Sequence, residues 1–132
     1  DDMARGMARS AFFEGVLRRN PDYVDVLIAL GEIYTHKGLY AKGLEVDVKL
    51  ARLRPENPIV HYNLACSLSL LGDLGSSFRA IKRAIHLGYK DFQYMANDPD
   101  LSNLRRDERF AQLLQDIRKK RPLRTKDAAQ ER

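Results

Sequence analysis

Apolar residues recur along this chain at steps of three and four rather than alternating. Val24, Leu27, Ile28, Gly31 and Tyr34 share one face of one segment, and Leu64, Leu68 and Leu71 share a face of another. That is the period of a helix, and strand patterns are weak throughout. The spacing predicts helices over about 3–19, 22–37, 40–53, 58–71, 74–87, 91–97 and 107–120. Punctuation agrees with these limits. Asn57-Pro58 sets a side-chain acceptor before a proline whose missing N–H costs nothing in the first turn. Gly38, Gly72 and Gly88 stand where helices should stop, since glycine accepts the left-handed conformation of a C-terminal cap.

The pattern then repeats at an interval of 34 residues. Leu30 falls on Leu64, Gly31 on Ala65, Gly38 on Gly72 and Leu53 on Leu87. Tyr34 falls on Leu68, Tyr40 on Leu74, Leu44 on Phe78 and Leu50 on Ala84. Backwards, Pro55 falls on Pro21 and Leu50 on Val16. A fixed period of this length marks stacked helix pairs, each of which needs a neighbour to bury its apolar face.

On these residues the chain resembles the tetratricopeptide-repeat (TPR) family. The family pattern W-x2-L-G-x2-Y, A-x3-F and P is matched by Leu27-x2-Leu30-Gly31-x2-Tyr34, Gly43-x3-Asp47 and Pro55. A second copy reads His61-x2-Leu64-Ala65-x2-Leu68, Ser77-x3-Ile81 and Tyr89. The small residues Gly31, Ala65, Gly43 and Ser77 are expected where paired helices approach closely. Asp47 departs from the pattern, where Phe13 and Ile81 hold the equivalent places, and Tyr89 replaces the closing proline. The resemblance covers about residues 8–97. It implies an all-α fold, a right-handed superhelix of antiparallel helix pairs (a TPR solenoid) closed by a C-terminal capping helix.

Five segments follow from this reading. Residues 1–21 form the second helix of an incomplete repeat, 22–57 and 58–90 are repeats, 91–120 hold a degenerate repeat and the capping helix, and 121–132 form a basic tail expected to be disordered. The third copy breaks at Asp98-Pro99-Asp100, and the run through Leu101, Leu104-Arg105, Asp107, Arg109-Phe110 and Leu113-Leu114 resembles an ending common on bacterial TPR proteins. Phe110, Leu113, Leu114 and Ile117 give the last helix one apolar stripe, suited to cover a terminal repeat. The opening helix carries Met3, Met7, Phe12, Phe13, Val16 and Leu17, more apolar surface than one neighbour covers, which suggests upstream sequence or self-association.

The net charge of +5 changes little once located. Arg118 to Arg132 holds seven basic and two acidic residues, so the whole excess belongs to the tail. Such a run serves anionic surfaces or phosphates, or simply favours a helix C-terminus. No aromatic residues interleave it, so a nucleic-acid partner is not expected. No stretch is apolar enough to span a membrane. The single Cys66 excludes an internal disulfide and fits a reducing, cytoplasmic setting.

No catalytic or metal constellation stands out. His36, His61 and His86 lie far apart without second ligands at a useful spacing, and His61 occupies a core-type repeat position. Asp98 and Asp100 read as a turn and helix cap, and Gly72-Asp73-Leu74-Gly75 lacks the lysine of a phosphate loop. No enzyme activity, cofactor or metal is expected.

A TPR superhelix binds along a concave face lined by the first helix of each pair. The positions turned that way here are Asp25, Ile28, Glu32 and Thr35, followed by Ile59, Tyr62, Asn63, Cys66 and Ser69, with Gln93 beyond them. Some TPR proteins hold a chaperone's C-terminal carboxylate there with Lys, Asn and Arg. Only Asn63 matches that clamp, while Ile28 and Glu32 fill two of its other places and Asp25 and Glu32 repel a carboxylate. The expected partner is therefore a peptide or helix of another protein with apolar anchors and some positive charge.

Overall fold

The computed structural model describes the backbone of residues 2–131 and the side chains of residues 5–120. The tail expected from 121 onward lies outside the described side chains. Among the described residues there are eight α-helices, one 3₁₀ turn and no strand. The helices are α1 (Asp2–Arg19), α2 (Val24–His36), α3 (Tyr40–Leu53), α4 (Pro58–Leu70), α5 (Leu74–His86), α6 (Phe92–Asn97), α7 (Ser102–Arg105) and α8 (Glu108–Glu131), with the 3₁₀ turn Pro99–Leu101 before α7. Helices adjacent in sequence pack together, α1 on α2, α2 on α3, α3 on α4 and α4 on α5. The protein is an all-α helical repeat.

The 34-residue period survives in the geometry. Both ends of α2 recur in α4 at that interval, and the start of α3 recurs in α5. The caps repeat as well. Gly38 and Gly72 take φ of 78° and 84°, a region closed to most side chains. Each turn then closes alike: the Leu39 N–H donates to the Tyr34 carbonyl at 2.8 Å, and the Asp73 N–H to the Leu68 carbonyl at 3.0 Å. The Gly38 and Gly72 N–H groups reach the Thr35 and Ser69 carbonyls. These paired bonds are a Schellman cap, which satisfies carbonyls the helix end would otherwise leave bare. At its start, α4 is capped by Asn57, whose Oδ1 accepts from the N–H groups of Ile59 and Val60.

Small residues bring the paired helices together by two chemistries. A methyl group at Gly31 would stand 3.3 Å from Val46 Cγ1, and one at Gly43 the same distance from Thr35 Oγ1. In the next pair Ser77 takes the place of Gly43. Its hydroxyl is fully buried and donates to the Ala65 carbonyl at 2.7 Å. The polar atom fits because it finds a main-chain acceptor at the contact.

The core has two parts. Leu27, Leu30, Tyr34, Val46, Leu50 and Val60 join the first pair to the start of α4, with Phe13 and Leu17 of α1 against them. The larger part joins α4 and α5 to the ending, where Met95, Leu101, Leu104 and Phe110 are completely buried. Leu113 and Leu114 pack beside them. The chain covers its last repeat with a lid made of α7 and the start of α8. The other end differs. Tyr34 donates to Glu14 and Lys37 to Ser10, tying α1 to α2. Met7 and Phe12 nevertheless remain 59% and 67% exposed.

Phe110→Ala should destabilise the chain by ~3–5 kcal/mol, the range for removing a buried aromatic ring. Urea denaturation followed by circular dichroism measures it, and a loss under about 1 kcal/mol would refute the lid's role.

Candidate functional site

A cleft of about 590 Å³ opens between α2 and α4, the first helices of the two pairs. From α2 it is lined by Ile28, Glu32 and Thr35, and from α4 by Ile59, Tyr62, Asn63 and Cys66. Asp47 of α3 lies behind, and Tyr89, Tyr94, Asp98 and Asp100 close the far side. Seven of the nine residues that the sequence marks for the concave face thus share one cleft. Two stand apart. Asp25 is exposed near the start of α2, in a shallow depression with Asn20, Asp22 and Arg54. Ser69 is fully buried, its hydroxyl accepting from the Leu104 N–H at 3.1 Å and its carbonyl from Asn103 Nδ2 at 2.9 Å. The reason is the broken third repeat. Its first helix stops at Asn97, and the chain folds back across the end of α4, covering the turn that an unbroken repeat would leave open. Gln93 is exposed and it is Tyr94 that reaches the cleft.

The residues that do line the cleft divide into rim and floor. Ile59 is 52% exposed and Tyr94 56%, so both offer apolar surface to an occupant. Tyr62 is buried. Its ring stacks on Tyr89 with centroids 4.4 Å apart and planes 2° from parallel, and its hydroxyl donates to Asp98 at 2.7 Å. The aromatic ring at the position of the missing proline is thus a packing partner for α4. Cys66 lies beside this bond, its Sγ 3.8 Å from Asp98 Oδ2. Asp98 also receives the Asp100 N–H on Oδ1, which caps the 3₁₀ turn as its place before Pro99 suggests. His61 is half-buried, with Nε2 2.9 Å from the Pro55 carbonyl oxygen, and braces the loop before α4 rather than filling the core.

Asp47 is a buried carboxylate with one hydrogen-bond partner among the described residues. It is only 6% exposed and accepts from the buried Ser67 hydroxyl of α4, while Oδ1 lies under Gly31. Burial pushes its carboxyl up to about 6, against the opposing effect of the Ser67 hydrogen bond. Other groups of the cleft shift in the same sense. Burial raises Asp100, and the adjacent Asp98 adds to it. Burial also lifts the Cys66 thiol and the Tyr62 phenol well above their usual ranges, with Asp98 contributing to both. The Asp98 charge is the first cause of the rise at Tyr94. Every one of these shifts disfavours a further negative charge in the cleft.

Ligand atoms of Cys66, Asp98 and Asp100 lie within 4.8 Å of one another. The geometry makes a poor metal centre. Both Asp98 oxygens already accept hydrogen bonds that hold the fold, so a metal there would compete with Tyr62 and with the cap of the 3₁₀ turn.

No family model matches the chain. Two curated proteins are similar to parts of it. A chloroplastic protein of Arabidopsis thaliana is 32% identical over 84 residues, covering 61% of this chain and 25% of that protein. The "Peroxisomal targeting signal receptor" of Pichia angusta is 26% identical over 99 residues, covering 75% of this chain and 17% of that protein. The chain therefore spans a quarter or less of the length of either relative.

Asp47 supplies a pH test. Its folded-state value stands above the unfolded one, so its contribution to stability is complete below about pH 4 and is lost as pH rises through about 6. Asp47→Asn, which keeps the shape without the charge, should be more stable than wild type at pH 8 by about 1–3 kcal/mol. The difference should vanish near pH 4. Equal denaturation midpoints at both pH values would sink the assignment.

Proposed function

We propose that this chain is a TPR-type, non-catalytic interaction module, a right-handed superhelix that receives a peptide or helix of a partner protein in the cleft between α2 and α4. The observation that supports it most is the cleft's construction. Exposed apolar side chains, Ile59 and Tyr94, flank a floor held rigid by the Tyr62–Tyr89 stack and the Tyr62–Asp98 hydrogen bond. Rigid anchors at a rim and a preorganised floor lower the entropy cost of binding a segment. The similarity to a protein named as a targeting signal receptor is in keeping with such a role. So is the 34-residue register, which supports the TPR resemblance through helix ends and caps alike.

A second reading has its own observation. Met7 and Phe12 of α1 expose apolar surface, and self-association would cover it. An apparent mass that rises with concentration, and that Phe12→Glu returns to the monomer value, is the result that reading requires.

A photo-crosslinking residue separates the two. Placed at Ile59 on the rim, it should capture a partner protein in cell extract. The same residue at Val48, which is exposed on α3 and outside the cleft, should not. Equal capture at both sites would overturn the cleft as the binding surface. The variant Ile59→Asp should weaken capture by about tenfold or more, the equivalent of one lost apolar anchor.

A further inference from the structure

The cleft holds more negative charge than its fold uses. Four carboxylates line it, Glu32, Asp47, Asp98 and Asp100, and among the described residues no lysine or arginine does, His36 at the end of α2 being the one basic side chain. Two of them are buried to a degree that carboxylates rarely reach without a cation, Asp47 at 6% exposed and Asp98 at 5%. The ion pairs among the described residues, Lys49 with Asp22 and Arg109 with Asp107, lie elsewhere on the surface. Asp98 has a structural duty as the acceptor for Tyr62 and for the 3₁₀ turn. Asp47 has a lesser one, a single hydroxyl partner at a position where the neighbouring copies carry Phe13 and Ile81. An apolar residue there would pack without the desolvation cost of a carboxylate.

Aromatic surface accompanies this charge. Tyr94 stands 56% exposed at the edge, with its ring centroid 6.2 Å from that of Tyr62, while Asp98 and Asp100 lie on the same side of the cleft. The half-buried Asp100 carboxylate beside an open aromatic face, with the buried Asp98 charge behind it, suits a cation that is flat and bears several donors, since such a group stacks and hydrogen-bonds at once. An acidic segment would meet like charge from Glu32 on one wall and from Asp98 and Asp100 on the other, and a neutral one would leave that charge without a counterion.

Resting on the reading of the cleft as a segment-binding site, we propose that the partner presents a cationic side chain, arginine above lysine, which enters between Tyr94 and Asp100, in the field of buried Asp98, while an adjacent apolar residue covers Ile59. The charge selects the segment and the rim holds it. Glu32, exposed on α2, extends the attraction to the opposite wall.

The test uses the full chain and libraries of peptides about a dozen residues long, degenerate except for one central Arg, Lys, Gln or Glu. Retention on immobilised protein and amide NMR shifts are read together. The arginine set should be retained about tenfold over the glutamine set, roughly the discrimination of one good charge pair. It should move amides of α2 and α4 at the cleft, and it should weaken as salt is raised. The double variant Glu32→Gln, Asp100→Asn should lose that preference with an unchanged circular dichroism spectrum, which shows that the fold is intact. Equal retention of the arginine, glutamine and glutamate sets, with cleft amides still moving, would overturn the cationic partner and leave segment binding standing. If no set moves the cleft amides, segment binding fails and the cationic partner fails with it.

Discussion

The carboxylate of Asp98 is the point at which the repeat stops and the lid begins. One oxygen accepts the Tyr62 hydroxyl from α4, and the other accepts the Asp100 N–H that starts the 3₁₀ turn. Proline at the next position fixes the backbone for that turn and prevents α6 from continuing. With the chain redirected, Leu101, Leu104 and Phe110 fall onto the end of α4 and α5 and are wholly buried. Tyr89 and Tyr94, which precede the corner, meet the Tyr62 ring whose hydroxyl Asp98 holds, and with it they form the far wall of the cleft. Stability of the last repeat and shape of the candidate site therefore share one hydrogen-bonded corner.

Much of this was legible in the sequence, because a period of 34 residues sets helix ends, caps and close approaches together. Asn57-Pro58, Gly38 and Gly72 each signal a local backbone conformation, and local conformation is what short sequence patterns encode best. The lid was legible in part. Phe110, Leu113 and Leu114 mark a covering helix, but the 3₁₀ turn and the four-residue α7 are too short to show a period. Seven of the nine concave-face positions could be reached by counting along α2 and α4. Ser69 could not, since only the folded-back ending decides that its hydroxyl meets the Leu104 N–H. Asp47 and Asp98 read as a departure and a cap. Their presence in one cleft depends on contacts made 20 to 36 residues away, with Ser67 and Tyr62.

The two repeats also show how one geometric need tolerates different residues. Gly31 and Gly43 meet by having no side chain, whereas Ala65 and Ser77 meet through a hydrogen bond from hydroxyl to carbonyl. The second solution adds an oriented polar contact where the first has only proximity. The first leaves room for a carboxylate, since Asp47 Oδ1 lies 3.4 Å from where a methyl on Gly31 would be. Charge in the cleft and glycine in the helix are in that sense one decision.

The unequal ends of the array give the molecule a direction. At one end a lid buries Phe110 completely; at the other α1 packs chiefly on α2 and leaves Met7 and Phe12 in water. In a structure whose units contact only those beside them, cooperativity passes from unit to unit. Within the described residues α1 is tied to α2 by apolar packing and two side-chain hydrogen bonds, and to little beyond it. The cleft therefore takes one wall from α4, braced by α3, α5 and the lid, and the other from α2, braced by α1 and α3, so that a segment seated there bridges the two halves of the core.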